Sequence, residues 1–296
     1  MLTYSRLGYR GNLGNQLFQV ASLISLSEKH NQKYCIPKWK YADSFDFEYP
    51  IGYADESFQE IKERKFEFHE WDISNGNFDL DGWFQSEKYF EKSILNTALK
   101  FKEELKRNTL EKNKHLFEKQ NIVISVRRGD FVFHPFYFQL GYDYYLKALV
   151  YEFPDYKERN LIFTSDDINY CKSLFKQLPN VYFLDQHSPI EQLIIASQCD
   201  DFIISNSTFS WWMAWFGEKE NTKIIRPLKN FRGKHAKENC DKDFFPERWL
   251  VFNDKAFSFP KGFSNLRFKG NLYFVLNYLK FNFLKIITFV KKKIKR

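Results

Sequence analysis

Short apolar runs and longer helical stretches alternate along residues 119 to 227. The apolar runs are rich in Ile, Val and Phe, which is typical of buried parallel strands. We predict strands at residues 122 to 126, 160 to 167, 181 to 185, 201 to 207 and 223 to 227, the last of the chain. Helices are predicted near residues 143 to 153, 168 to 177, 189 to 200 and 208 to 218. Strands that alternate with helices in this way indicate βαβ units in a parallel, doubly wound, Rossmann-like α/β sheet.

The amino-terminal segment has the same order of strand, turn and helix. We predict a strand at residues 2 to 7, a turn rich in Gly and Asn at residues 10 to 16, and a helix from residue 17 to 29. The spacing of the turn matches neither a Walker loop nor GxGxxG. The charged segment EKNKHLFEKQ separates this half from the next. We therefore expect an amino-terminal Rossmann-like domain at 1 to 118, a second Rossmann-like domain at 119 to 252, and a tail at 253 to 296.

The tail from residue 271 to 296 predicts a basic amphipathic helix. Polar residues recur there at three- and four-residue steps around a broad apolar face: Asn277, Lys280, Thr288, Lys291 and Lys295. Lys280 and Lys285 interrupt the apolar sequence too often for a membrane span, so a helix that lies in the membrane interface fits the sequence better. The alternative is a helix packed on the protein's own core. The basic run after Val290 favours the membrane surface.

Composition indicates a folded protein whose charge is unevenly distributed. The chain has 296 residues, with 34 Phe, 17 Tyr and 28% charged residues. Ten of the 45 basic residues, and none of the 37 acidic residues, lie from Lys261 onward, so residues 1 to 260 carry 35 basic and 37 acidic residues. A nucleic-acid-binding domain should carry its positive charge on the domain itself. The pattern argues against nucleic acid as a partner and directs attention to the tail.

Cysteine spacing and the first residues bear on the compartment. The four cysteines are widely spaced and form no CxxC pair: Cys35, Cys171, Cys199 and Cys240. They indicate neither a zinc site nor a disulfide framework, so we expect reduced thiols. The first residues, MLTYSRLGYRGN, lack the apolar core of a secretory signal. We therefore expect a cytoplasmic protein, peripherally associated with the inner face of the membrane through its tail.

Two arginines follow the predicted strand in NIVISVRRGD, residues 121 to 130. Open α/β sheets bind ligands at the carboxyl ends of their strands, and guanidinium groups match phosphate oxygens bidentately. Arg127 and Arg128 therefore suggest a diphosphate site. From this decapeptide alone, a structural ion pair between an arginine and Asp130 is an equally good interpretation. An adhesive RGD should lie on an exposed loop tip, so we set that interpretation aside.

Polar side chains end two further strands at the same predicted edge. Ser165, Asp166 and Asp167 follow one strand, and SNST at residues 205 to 208 leads directly into FSWWMAWFG. Hydroxyl residues ahead of a helix are ordinary N-caps, but a helix start with free amides is also an anion site. Together these segments predict a nucleotide pocket, with phosphates at the arginines and the helix start, and a base or ribose at an aspartate.

Five motifs resemble the α-1,2-fucosyltransferases of glycosyltransferase family 11. They are GNLGNQLFQVA (11 to 21), GWFQSEKYF (82 to 90), SVRRGDF (125 to 131), FTSDD (163 to 167) and SNSTFSWWMAWFG (205 to 217). They occur in the family's order and span most of the chain up to about Trp249. The family usually has HxRRGD, and Ser125 stands at the histidine position here, which puts one donor contact in question.

The resemblance implies a GT-B architecture, in which two Rossmann-like domains face each other across a cleft. The first domain would lie on the acceptor side, and the second would hold most of the GDP-fucose. It implies inverting transfer of L-fucose from GDP-β-L-fucose to a galactoside hydroxyl, giving an α-1,2 linkage. Arg127, with Arg128 and the helix start, would stabilise the negative charge that grows on departing GDP, without a metal ion or cofactor. The implied donor-binding residues are Arg127, Arg128, Asp130, Asp166, Asp167, Asn206, Ser207, Thr208 and Ser210. Within this set, Asp130 would orient an arginine, and Asp166 or Asp167 would contact guanine or ribose.

The sequence does not rank the candidates for a general base, which are His134, Glu87 and Asp130. A lone histidine is more often structural. The cleft loop could instead position acceptor and donor through Asn12, Gly14, Asn15 and Gln16. Residues 79 to 81 and 241 to 243 match the metal motif DxD, but so short a match carries little weight in a chain with 37 acidic residues.

Two alternatives remain open. The first is a glycosyltransferase that uses another nucleotide sugar or a protein acceptor. The second is a non-catalytic protein that binds a nucleotide or a sugar. For the main hypothesis we expect a galactose-terminated glycan as acceptor, lipid-linked as in an O-antigen or capsule repeat, because the tail suggests a membrane surface.

Overall fold

The computed structural model is described for residues 1 to 71, 73 and 75 to 294, and for the side chains of these residues up to 287. Within it, two parallel sheets face each other, each with helices packed against it. This confirms the predicted α/β class with two parallel sheets. The domain boundaries at residues 118 and 252 stay predictions.

The first sheet has four strands in the order β2-β1-β4-β3, and each pairing is parallel. The strands are β1 (Leu2–Thr3), β2 (Tyr34–Cys35), β3 (Phe58–Lys62) and β4 (Asn77–Asp81). The helices of this half are α1 (Leu13–Lys29), α2 (Lys92–Ala98) and α3 (Glu103–Lys112).

Helix α1 begins earlier than the sequence suggested. Asn12 is its extended N-cap residue, and the Asn12 carbonyl accepts hydrogen bonds from the amides of Asn15 and Gln16 at 2.9 and 3.1 Å. Gly14, Asn15 and Gln16 therefore form the first turn of the helix, and their prediction as part of a loop was wrong. The strand predicted at residues 2 to 7 is also shorter, at Leu2–Thr3.

The second sheet has six parallel strands in the order β10-β9-β8-β5-β6-β7. The strands are β5 (Asn121–Val126), β6 (Asn160–Ser165), β7 (Val181–Phe183), β8 (Asp201–Ile204), β9 (Ile224–Pro227) and β10 (Leu250–Phe252). All five predicted strands are present, some with earlier ends. The prediction that the strand near residue 225 is the last was wrong, because β10 pairs with β9. A three-residue strand with two exposed side chains shows no periodicity to detect.

Five further helices accompany this sheet. They are α4 (Tyr142–Glu152), α5 (Ile168–Phe175), α6 (Pro189–Ala196), α7 (Thr208–Gly217) and α8 (Gly233–Glu238). Strand register places the carboxyl ends of three strands side by side, since Ser125 of β5 is paired with Thr164 of β6 and Ile204 of β8. The residues that follow these strands therefore meet at one edge of the sheet.

A continuous aromatic core joins the two halves. Phe18 of α1 packs against Trp211 and Trp212 of α7, with ring centroids 4.6 and 5.1 Å apart. Phe90, from the first half, stacks on Trp212 at 5.6 Å. All four side chains are buried in one hydrophobic cluster that contains residues of both sheets. The core therefore extends through the contact between the halves.

The tail forms helix α9 (Ser264–Ile294), which begins earlier than the predicted residue 271. Its first part packs on α4 and α5. Tyr273 contacts Tyr170 at 5.5 Å, and a β-carbon at Gly270 would collide with the Tyr142 ring. Among the described residues, no helix combines the length and the hydropathy needed to cross a bilayer. The side chains predicted at Thr288 and Lys291 lie outside the described part, as do residues 295 and 296.

Candidate functional site

A cavity of about 780 Å³ lies between the carboxyl edge of the second sheet and the first turn of α1. Predicted site residues from both halves line it: Asn12, Gly14, Asn15, Arg127, Asp130, Asp166, Asn206, Ser207, Thr208 and Ser210. The structure thus brings together residues that are almost 200 positions apart in the chain. The volume of this cavity is in the range of small-molecule and cofactor sites.

Arg127 lies at the end of β5 with its guanidinium group against the cavity. Its Nη2 binds Asp130 Oδ1 at 2.5 Å, and its Nη1 lies 3.3 Å from Asp166 Oδ2. The Nε is buried and has no hydrogen-bond partner among the described residues. The ion pair that the sequence offered as an alternative interpretation therefore exists, and it holds a cation at the cavity wall.

The turn after β5 is shaped around Asp166. The Arg128 amide donates to Asp166 Oδ1 at 2.9 Å. Gly129 follows immediately, and a β-carbon at this position would collide with the Asp166 carboxylate. The sequence RRGD therefore needs its glycine so that the turn can approach Asp166 closely.

Arg128 and Asp167 lie outside the cavity lining and bind each other. Arg128 Nε donates to Asp167 Oδ2 at 3.1 Å, and the guanidinium lies 3.5 Å from the centroid of the Tyr170 ring. Asp167 also caps α5 by accepting a hydrogen bond from the Tyr170 amide at 3.2 Å. Adjacent residues at a strand end point to opposite sides, so only one arginine of the pair faces the cavity.

The cavity lining also leaves out His134 and Gln16. His134 packs between Phe136 and Tyr137, with ring centroids 5.0 and 4.8 Å away, and its Nδ1 accepts a hydrogen bond from the Phe136 amide at 3.2 Å. Gln16 is buried, and its Nε2 donates to the Gly11 carbonyl at 2.8 Å. Both residues hold local structure beside the cavity.

The three candidates for a general base lie in different places. Asp130 lines the cavity. Glu87 lies apart from it and forms a double hydrogen bond with Arg248 at 2.6 and 2.9 Å. With His134 held between aromatic rings, Asp130 alone of the three faces the cavity.

A chain of buried hydroxyl groups connects two strand ends to the start of α7. Ser210 Oγ lies 2.7 Å from Ser125 Oγ and 2.7 Å from Ser205 Oγ. Ser207 is the N-cap residue, and its side chain accepts a hydrogen bond from the Phe209 amide at 3.3 Å. Ser125, at the position of the histidine in HxRRGD, is thus part of this hydroxyl chain and also lines the cavity.

The starts of α1 and α7 approach each other at the cavity. A β-carbon at Gly14 would lie 2.5 Å from the Phe209 amide nitrogen and 2.7 Å from Thr208 Oγ1. Asn206 Nδ2 donates to the carbonyl groups of Phe138 and Asn230 at 3.2 and 2.8 Å, which fixes the segment ahead of α7. Helix starts present free amides and a partial positive charge, so this corner of the cavity favours anions.

Sequence reasoning missed the aromatic part of the lining. Tyr41, Phe66 and Trp83 come from the first half. The second half contributes Phe136, Tyr137, Phe231 and His235, in addition to Phe131 and Phe209, which lie within the motifs. Arg10 lies over the Trp83 ring at 4.5 Å, and Gln85 Nε2 donates to Asn15 Oδ1 at 2.9 Å. The motif at residues 82 to 90 carried a signal for Trp83 and Gln85. The other rings come from separate loops, which no local pattern connects.

Burial changes the acidity of two groups near the site. Burial raises the pKa of Glu63 to about 7, against the lowering effect of hydrogen bonds from the Trp83 and Phe84 amides. Those bonds are 2.7 and 3.2 Å long. Burial, and then the nearby Asp130 carboxylate, raise the pKa of Tyr137 above its usual value. Tyr137 therefore stays a neutral hydrogen-bonding group at physiological pH.

The two DxD segments are engaged with protein groups. Asp79 accepts hydrogen bonds from the amide and hydroxyl of Ser5, and Asp81 binds Arg10. Asp241 accepts from the amides of Asn230 and Phe231, and Asp243 binds Lys88. In the part of the chain that the structure describes, no group of three or more His, Cys, Asp or Glu residues is arranged to hold a metal ion.

The fold is similar to that of POFUT1, whose crystal structure was determined in complex with GDP. The TM-score is 0.50 at 11% identity, and the likeness covers 76% of this chain and 97% of that chain. At this identity the likeness concerns the fold alone. It confirms the predicted GT-B-type arrangement of two parallel α/β sheets across a cleft.

Two Escherichia coli proteins are similar in sequence. The O-antigen biosynthesis glycosyltransferase WbnK is 34% identical over 120 residues, which are 38% of this chain and 39% of WbnK. An alpha-1,2-colitosyltransferase is 28% identical over 196 residues, which are 59% of this chain and 62% of that protein. The chain thus spans less than two thirds of the length of either relative.

The sequence profile of glycosyl transferase family 11 matches residues 45 to 251. This range covers more than half of the chain and includes β5, the RRGD turn and the start of α7. It agrees with the resemblance that the five motifs carry. The chain belongs to glycosyl transferase family 11.

Proposed function

We propose that this protein transfers L-fucose from GDP-β-L-fucose to a galactoside hydroxyl, with inversion, and so forms an α-1,2 linkage. The observation that carries the proposal is the position of Arg127. Its side chain reaches the cavity at the carboxyl edge of the second sheet, across from the amino-terminal end of α7. A cation and a helix start that face one cavity are suited to a diphosphate.

The proposed chemistry is a single displacement. The oxygen of the acceptor hydroxyl group bonds to the anomeric carbon while the bond from that carbon to the β-phosphate oxygen breaks, and GDP leaves with the electron pair. The hydroxyl proton passes to Asp130, the candidate base that lines the cavity. Negative charge develops on the leaving phosphate. We propose that Arg127 and the partial positive charge at the start of α7 stabilise that charge. The Phe209 amide there is already bound to Ser207 Oγ. Positioned electrostatic stabilisation is usually the largest single contribution to rate enhancement. We propose that the reaction needs no metal ion.

Asp130 and Asp166 would keep Arg127 oriented. Both carboxylates contact its guanidinium group, at 2.5 and 3.3 Å. Asp166 also lines the cavity, and its carboxylate would contact the ribose or the base of the donor in addition to the two arginines. Arg128 would act indirectly, since its amide and its pairing with Asp167 hold the turn in shape.

The aromatic residues of the first half support a sugar acceptor. Tyr41 and Trp83 line the cavity from the first half, as Asn12 and Asn15 do. Aromatic faces with a few convergent polar groups are typical of small-molecule sites and suit the apolar face and hydroxyl groups of a pyranose. We propose that the galactoside binds here and the nucleotide binds at the second sheet.

One observation favours a second donor, the GDP derivative of colitose. One relative is named an alpha-1,2-colitosyltransferase and is 28% identical. Colitose is L-fucose without the 3-hydroxyl group, so a similar pocket could accept either sugar as its GDP derivative. A donor panel that contains both GDP sugars separates these candidates, and it also separates both from a transferase for another nucleotide sugar.

The test measures GDP release from each donor with a panel of terminal β-galactosides, and the linkage in any product is determined by NMR. Acceptor-dependent GDP release with a new α-1,2 fucosyl linkage would support the proposal. Preference for the GDP derivative of colitose would change the sugar in the proposal but leave the proposed donor site unchanged. Consumption of an unrelated nucleotide sugar, or binding without turnover, would overturn it. Activity that EDTA abolishes and Mn²⁺ restores would overturn the metal-independent mechanism.

A further inference from the structure

Helix α9 has an apolar side that is already used inside the protein. Leu266 is fully buried, and Gly270 and Tyr273 contact Tyr142 and Tyr170. The next turns rest on a loop of the second half, because Phe133 contacts Phe274 and Phe281 with ring centroids 5.5 and 5.3 Å apart. An ordinary surface helix with such an inner face has a polar outer face.

The outer face of α9 is apolar instead. Six apolar residues follow each other at steps of three or four residues, and each has an exposed fraction between 46% and 69%: Phe268, Leu272, Val275, Leu279, Phe283 and Ile286. At 3.6 residues per turn they form one stripe, which lies opposite Gly270 and Tyr273. We call these six residues the outer stripe. An exposed apolar stripe of this length is typical of a surface that binds a protein or a membrane.

Basic residues border the outer stripe on both sides. The same helical geometry places Lys269 and Lys280 along one border and Arg267 and Lys285 along the other. No acidic residue occurs from Lys261 to the end of the sequence, which closes with KKKIKR. The side chains of that final run lie outside the described residues, but they carry the same positive charge as the four border residues.

From this arrangement we infer that α9 lies flat in the headgroup region of an anionic bilayer, with the outer stripe in the acyl chains and the basic borders at the lipid phosphates. A helix with an apolar face and lysines at its borders is the pattern of interfacial membrane binding. A second copy of this chain is a poorer occupant, because two such helices would place cationic borders side by side without an acidic partner.

The helix is also attached to the wall of the proposed active site. Phe133, which contacts α9, lies two residues after Phe131, and Phe131 lines the cavity beside Arg127. A membrane-bound α9 would therefore hold this wall at the bilayer surface. The inference does not depend on the identity of the donor or the acceptor, so it can fail or succeed separately from the proposed function.

The test is sedimentation of the full-length protein with two kinds of vesicle, one of phosphatidylcholine alone and one containing about one third phosphatidylglycerol. We expect the protein to sediment with the anionic vesicles. The double variant Leu272→Glu/Leu279→Glu, which changes the outer stripe only, should reduce the bound fraction at least about fivefold. The matched control is Ile51→Glu/Tyr53→Glu, because it also replaces two exposed apolar residues, 69% and 65% exposed, by carboxylates.

We expect the control variant to bind as the unaltered protein does, and both variants to keep its unfolding temperature. Absence of binding to anionic vesicles, or equal binding by the Leu272→Glu/Leu279→Glu variant, would overturn the inference. So would a concentration-dependent dimer in analytical ultracentrifugation that this variant converts to monomer, because the outer stripe would then be a contact between copies.

Discussion

Gly14, in the first turn of α1, lies directly against the backbone of Thr208, the first residue of α7. A β-carbon at Gly14 would be 2.6 Å from the Thr208 carbonyl carbon. This contact joins the two halves of the protein at the edge of the cavity. It brings two helix starts, one from each half, to the same edge of the cavity.

Gly14→Ala should destabilise the protein by about 1 to 3 kcal/mol, because the added methyl group must displace backbone atoms of α7. In a helix without such a neighbour, the change from Gly to Ala is stabilising by roughly 1 kcal/mol. A destabilising effect would therefore indicate the contact between Gly14 and α7. Thermal and chemical unfolding measure it. A higher unfolding temperature for the variant would contradict the close approach of the two helices.

Arg127→Ala should lower kcat by at least about 10²-fold, because the leaving phosphate loses a positioned cation. Arg127→Lys should restore only part of this loss, since an ammonium group cannot reproduce the two-pronged contact. The control is Arg107→Ala, which removes an exposed arginine on α3. Steady-state kinetics with saturating donor test the prediction, and unchanged turnover for Arg127→Ala would remove Arg127 from the proposed mechanism.

Ser210→Ala should cost about 1 to 3 kcal/mol of stability, because it leaves the buried hydroxyl groups of Ser125 and Ser205 without their common partner. Ser125→Ala should cost less, since Ser205 and Ser210 keep their hydrogen bond. The free energies of unfolding of both variants, measured with a denaturant, show which substitution costs more. Equal effects would show that the three hydroxyl groups do not act as a chain.

Glu63 should make stability fall as the pH rises from about 4.5 to about 7. The pKa of this carboxyl group is raised to about 7 in the folded protein, from a usual value of 4.5, so the folded state holds the proton more tightly in this interval. The free energy of unfolding therefore decreases as the proton is lost, by about 1 to 3 kcal/mol in total. From about one pH unit above 7, where the carboxyl group is ionised in the folded protein as well, this contribution should be constant.

Glu63→Gln should flatten that part of the pH profile, whereas Glu118→Gln, at an exposed carboxylate, should leave it unchanged. Unfolding free energies measured from pH 4 to 9 test both variants. A profile that keeps its slope in Glu63→Gln would assign the pH dependence to other groups.

Periodicity was sufficient for five of the six strands of the second sheet, because each of these is an apolar run with a helix after it. It missed β10, which has two exposed side chains. The five strands from β5 to β9 were predicted on this basis, and the edge at which Arg127, Asp166 and Ser207 meet followed from parallel topology. The short strands of the first sheet carry little pattern of their own. Two residues such as Leu2 and Thr3 become a strand only because neighbouring strands pair with them.

The candidate site was predictable where its residues follow a strand and unpredictable where they come from loops. Arg127 and Arg128 are indistinguishable in sequence, and only the direction of each side chain at the end of β5 separates them. Phe66 and Phe231 reach the cavity through tertiary packing, for which a single sequence holds no local signal. Glu63 acquires its raised pKa in the same way, from burial under residues distant in the chain.

The aromatic core that connects Phe18 with Trp211 has a consequence for how substrates enter. Opening the two halves like a hinge would expose several large buried rings to water, at a free-energy cost comparable to the stability of a whole domain. We therefore expect the halves to melt together in a single calorimetric transition. In the reaction proposed above, exchange of the product for a new donor should then depend on small movements of loops at the cavity, such as the one that carries Phe136, and not on separation of the halves.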